Sequence, residues 1–109
     1  GVEAVIDKDL TAAVMADSLE ADMLIILTDV DGAQLDYGTP NARRIDRATP
    51  AEMRGYGFPA GSMGPKVEAV CRFVELTGGV AAIGRLEDAT KIIAGEAGTI
   101  VTPDGTYNA

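Results

Sequence analysis

Asp22-Met23-Leu24-Ile25-Ile26-Leu27-Thr28-Asp29-Val30-Asp31-Gly32 decides the fold class. From Met23 to Leu27 the residues are apolar without polar alternation. That is the pattern of a strand covered on both faces, as in a parallel sheet flanked by helices; a strand with one face in water would alternate. Thr28 to Gly32 then reads as a turn at the carboxyl end of the strand, the edge where open α/β sheets place their ligands.

Working outward, Val2 to Ile6, interrupted by Glu3, reads as a short strand that ends at the charged cluster Asp7-Lys8-Asp9. Ala12, Met15, Ala16 and Leu19 have helical spacing within Leu10 to Ala21, with Asp9 placed to cap the helix. The first unit is therefore strand, helix, strand. Gln34 to Pro59 mixes Gly, Pro, Asn and Arg, which predicts a hairpin or excursion, with a short helix starting after Thr49-Pro50-Ala51-Glu52. Pro65 suits the first turn of a further helix, with Val67, Val70, Cys71 and Val74 at i, i+3, i+4 and i+7 and Gly78-Gly79 as its stop. Val80 to Ile83 reads as another buried strand, Leu86 to Ala94 as a helix, and Thr99 to Thr102 as a last strand.

The 109 residues fit one domain or a piece of one. A formal charge of -8 disfavours nucleic acid or an anionic membrane surface as a partner, so a polyanion would need a focused local site. Cys71 is the only cysteine and histidine is absent, which excludes disulfide frameworks, Cys/His zinc sites and histidine triads. The remaining chemistry is that of lysine, carboxylate, hydroxyl and backbone amide. No apolar run is long enough to cross a bilayer and nothing reads as a signal peptide, so the expectation is a soluble cytoplasmic protein.

The chain has only three lysines, Lys8, Lys66 and Lys91. Gly61-Ser62-Met63-Gly64 before a helix lets backbone approach an anion, and Lys66 falls in the first turn, where a cation opposes the helix dipole. A lysine placed against its own dipole points to an anionic partner. The ordinary alternative is a glycine turn with Lys66 in solvent, and the spacing is not that of a Walker A loop. Glu68 and Arg72 are spaced for an i, i+4 pair on the same helix. Lys8, between Asp7 and Asp9, reads equally well as a local surface ion pair. Glu87 lies four residues before Lys91 and gives it an ordinary helical partner. Asp29 and Asp31 are candidates to accept hydrogen bonds from a ribose, although for Asp31 and Gly32 a plain turn is the better reading. Met63 is a soft apolar surface suited either to cover an aromatic base or to pack in the core.

In order along the chain, Val5-Ile6-Asp7-Lys8-Asp9-Leu10-Thr11-Ala12-Ala13, Leu27-Thr28-Asp29-Val30-Asp31-Gly32, Gly61-Ser62-Met63-Gly64-Pro65-Lys66-Val67-Glu68-Ala69 and Ala82-Ile83-Gly84 closely resemble the C-terminal part of the carbamate kinases, within the amino acid kinase family. The resemblance implies an α/β fold with an open, mostly parallel sheet and helices on both faces, an αβα sandwich. Residues 1–109 would be its nucleotide-binding C-terminal portion, with the N-terminal substrate half absent. It implies phosphoryl transfer between ATP and carbamate, giving ADP and carbamoyl phosphate, with Mg2+ bridged through phosphate oxygens and a homodimer in the full-length enzyme. Carried over position by position, Lys66 neutralises the transferring phosphoryl group, Lys8 contacts the nucleotide phosphates and Asp9 organises the lysines. Thr28 and Asp29 match the loop that lines the nucleoside, and Met63 lies near the adenine. Ala33-Gln34 departs from relatives that often carry an aromatic residue after the Asp-Gly pair. Two other readings are a non-catalytic ATP/ADP-binding module and a truncated fragment that only associates with other chains.

Overall fold

The computed structural model describes residues 2–6, 22–36, 38–58 and 63–107. Lys8, Asp9, the helix expected over Leu10 to Ala21, and Gly61 and Ser62 lie outside the described residues. The strands are β1 (Val2–Ile6), β2 (Met23–Thr28), β3 (Gln34–Leu35), β4 (Arg43–Arg44), β5 (Arg47–Ala48), β6 (Val80–Arg85) and β7 (Thr99–Val101). The helices are α1 (Pro50–Gly55), α2 (Met63–Thr77) and α3 (Ala89–Ile93), the last preceded by a 3-10 turn over Leu86–Asp88. The single helix expected from Leu86 is thus a tight turn that continues into a short α-helix.

The main sheet has the order β1-β2-β6-β7-β5. β1, β2 and β6 are parallel, with Ile6 opposite Leu27 and Thr28 opposite Arg85. β7 runs antiparallel to β6, with Thr99 opposite Ile83, and β5 pairs parallel to β7. The sheet is mixed but mostly parallel. Gln34–Leu35 and Arg43–Arg44 form the hairpin expected in the Gln34 to Pro59 stretch.

β2 shows why its sequence does not alternate. Leu24 and Ile26 join one apolar cluster with Phe73, Val70, Met53 and Ile83, while Met23, Ile25 and Leu27 join a second with Ile92, Ala82 and Ile100. Successive side chains of a strand point to opposite faces, so each face needs its own apolar set. The helices α1 and α2 cover the first face and α3 the second.

On α2 the stripe Val67, Val70, Cys71 and Val74 is buried, and Ala69 and Phe73 widen it. Gly78 stops the helix with φ of +71°, a left-handed value that glycine adopts without a Cβ clash, and its N–H donates to the Val74 carbonyl at 2.8 Å. α1 begins within its own signal: Thr49 accepts from the Glu52 N–H while the Glu52 carboxylate accepts from the Thr49 N–H, a capping box with Pro50 in the first turn.

Candidate functional site

The chain path places the site. α2 ends at Gly78, and β6 starts at Val80 on the edge of the sheet where parallel strands begin, so the helix runs back across the face toward the opposite edge. Its 15 residues span about 22 Å, close to the roughly 20 Å of the six-residue β6. The amino end of α2 therefore comes level with the carboxyl ends of β2 and β6. That brings Met63 and Lys66 to the same edge as Thr28, Asp29 and Arg85.

Lys66 is the most informative of these. The helix begins at Met63, two residues before Pro65, so Lys66 closes the first turn, and it is only 9% exposed. The reading of Lys66 as a solvated surface lysine is not what the structure shows. A buried ammonium at the positive end of a helix dipole is unfavourable on both counts, which gives it a reason to be near negative charge. Met63 is half-buried and packs against the core cluster under α2, in accord with its packing reading.

Thr28 is half-buried at the last position of β2, where its hydroxyl donates to the exposed Asp29 carboxylate at 3.3 Å. Asp31 accepts from the Gln34 side chain at 2.7 Å, which supports the turn reading for Asp31. The two helical pairs read from spacing are replaced, one by a tertiary contact and one by a local contact. Glu68 engages Arg54 of α1, with nitrogen–oxygen distances of 3.2 and 3.3 Å, in place of Arg72. Glu87 lies 3.6 Å from Arg85 in place of Lys91, because the 3-10 turn removes the α-helical spacing between them.

Two residues at this edge were not singled out from the sequence. Arg85 ends β6 beside Thr28 and bonds Asp88 at 3.1 Å; that contact, then the nearby Glu87 and Asp31 charges, keep its guanidinium firmly protonated. Thr99, fully buried, accepts from the Ala33 N–H at 2.8 Å and donates to the Ile45 carbonyl at 2.6 Å. The signal for Arg85 was its place after a buried strand. A threonine in a strand gives no such signal.

A helix amino end, a buried lysine and polar groups from the ends of two strands can hold a polyanion and stabilise negative charge that develops on it. Among the described residues, no group of three or more carboxylate or thiol side chains is arranged to hold a metal ion. A sequence model of the amino acid kinase family matches residues 1–83. The chain belongs to the amino acid kinase family. Carbamate kinases of Rhizobium meliloti and Pyrococcus furiosus are 51% and 48% identical to it, each over 94% of this chain and 32% and 34% of their own length. A carbamate kinase from Giardia lamblia bound to AMP-PNP superposes with a TM-score of 0.79 at 34% identity, over 88% of this chain and 35% of that one. The chain thus spans about a third of the length of the curated relatives it matches. This amino acid kinase chain has, among its described residues, no helix long and apolar enough to cross a membrane.

Proposed function

We propose that the chain is the ATP-binding part of a cytoplasmic carbamate kinase, which moves a phosphoryl group between ATP and carbamate to give ADP and carbamoyl phosphate. The observation that carries this reading is Lys66, buried at the amino end of α2 on the edge where β2 delivers Thr28 and Asp29. In this reading the Lys66 ammonium faces the transferring phosphoryl group, Lys8 contacts the remaining phosphates and Asp9 orients both lysines. Thr28 and Asp29 line the nucleoside, and Met63 lies near the adenine. Phosphoryl transfer asks chiefly for positioning and charge stabilisation, which lysines and helix amides supply without a histidine base. Magnesium would be held through phosphate oxygens and would neutralise part of their charge. In this reading the carbamate pocket lies in the part of the longer relatives that this chain does not span, and a homodimer belongs to that longer form.

Calorimetric titration with Mg-ADP tests the nucleotide site: the unaltered chain gives heat, and Lys66→Ala loses it. A coupled assay of ADP phosphorylation by carbamoyl phosphate tests catalysis: the 109-residue chain alone shows no turnover. Absence of ADP binding by the unaltered chain would remove the nucleotide reading, and Lys66-dependent turnover by it would remove the claim that the pocket lies elsewhere.

A further inference from the structure

We infer that Thr99 is a positioning residue for the nucleoside loop, acting through Ala33 and Gly32 on Thr28 and Asp29; this rests on the nucleotide reading above. Three stretches of chain meet at its hydroxyl. Thr99 opens β7, Ala33 ends the turn after β2, and Ile45 follows the β3–β4 hairpin. The Ala33 N–H donates to the Thr99 oxygen at 2.8 Å, and the Thr99 hydroxyl donates to the Ile45 carbonyl at 2.6 Å, with the Ala33 carbonyl 3.3 Å away as a second acceptor. The Ile45 N–H also donates to the Ala33 carbonyl at 2.8 Å. Thr99 and Ala33 are both fully buried, so water cannot replace a lost partner.

Asp29 is exposed, and among the described residues the side-chain hydrogen bonds of Thr28 to Asp31 are those from Thr28 to Asp29 and from Gln34 to Asp31. Gly32 lies so close to Thr99 that a Cβ there would fall 2.7 Å from the Thr99 oxygen and 3.1 Å from the Arg44 stem. Glycine at 32 and a hydroxyl at 99 are therefore two parts of one fitting: the small residue lets the turn come down on the hydroxyl, and the hydroxyl holds it there. Because β7 runs antiparallel to β6, its first residue falls at the carboxyl edge of the sheet, where the turn is.

The role separates from plain stability by what each variant does to different ligands. Thr99→Val keeps the shape and removes the hydroxyl; Thr99→Ser keeps the hydroxyl; Gly32→Ala presses on the same contact from the loop side. Dissociation constants for Mg-ADP and for pyrophosphate are measured by calorimetry at a temperature where circular dichroism shows each variant folded. Thr99→Val and Gly32→Ala weaken ADP by about tenfold as the turn is released from its seat, while pyrophosphate, which lacks a nucleoside, is unchanged. Thr99→Ser binds ADP as the unaltered chain does and keeps the Ala33 amide protected, whereas in Thr99→Val that amide exchanges its hydrogen rapidly. Unchanged ADP affinity in Thr99→Val, an equal loss of pyrophosphate, or a loss of ADP affinity in Thr99→Ser would each overturn the inference while leaving the nucleotide reading intact. If Thr99→Val does not fold, Gly32→Ala and Thr99→Ser decide between the same outcomes. Failure of the unaltered chain to bind ADP would instead overturn the nucleotide reading, and the inference with it.

Discussion

Lys66 stands on a helix fastened by apolar burial, whereas the turn from Thr28 to Ala33 is fastened by hydrogen bonds that meet at one hydroxyl. The two sides of the candidate site therefore differ in how they can be disturbed. Burial is non-directional and shared among Val67, Val70, Cys71, Phe73 and Val74, so α2 keeps its place only as part of the whole core. A hydrogen bond is directional and belongs to two atoms, so the turn can be released while the sheet stays intact. One side is tied to global stability, the other to a local contact.

The largest effect should come from the helix side. Phe73→Ala removes a ring only 2% exposed and should cost about 3–5 kcal/mol, enough to unfold much of a small domain. Urea denaturation should show one cooperative transition shifted to low denaturant; α2 melting ahead of the sheet would break the comparison. Thr99→Val should cost less, about 1–3 kcal/mol, as the Ala33 N–H and Ile45 carbonyl lose their buried partner. Its loss should concentrate in hydrogen exchange of the turn, with α2 amides protected as before.

Cys71 reports on the helix side without mutation. Burial, the largest influence, pushes its thiol up to about 11, and its sulfur lies 3.7 Å from the Pro50 carbonyl of α1. A thiol reagent at neutral pH should label it only at the rate of unfolding. Since the folded value lies above the unfolded one, the thiol stabilises the fold below its ordinary range of about 8.5, and that contribution is lost as pH rises toward 11. Cys71→Ala should flatten this alkaline slope.

The smallest effect belongs to the exposed charges between α1 and α2. Arg54 bonds Glu75 and Glu68 together, and the Arg54 hydrogen bond holds the Glu75 carboxyl below its ordinary value. Such a group stabilises the fold above its unfolded pKa, and the contribution fades as pH falls through the lowered folded value. Glu75→Gln should remove a small part of the acid dependence of the melting temperature, and added salt should shrink the difference because the pair is exposed.

The parts legible in the sequence were those with repetition behind them. β2 and β6 showed as apolar runs, and α2 showed in four apolar residues at helical spacing with a glycine stop. The two-residue strands β3, β4 and β5 are too short for any period to appear. The direction of β7 was equally hidden, since a strand's pattern reads the same whichever way its neighbour runs. Spacing pointed Glu68 to Arg72, but a helix surface also faces other helices, and Arg54 arrives from α1. Lys66 was legible as a cation against its dipole, but its burial required the packed helix. Thr99 was not legible because its partners lie 54 and 66 positions away in sequence.

β2 is paired with β6 and sandwiched between α2 and α3, and all three follow it at a distance along the chain. During synthesis, the Met23 to Leu27 run therefore emerges before residues 63–93, which supply much of the described cover of its two faces. Pairing strands so far apart is slow, because the intervening chain must first be brought together at an entropic cost. In that interval the most apolar segment of the protein is its most adhesive one, and a ribosome stalled before Val80 would release a chain prone to clump.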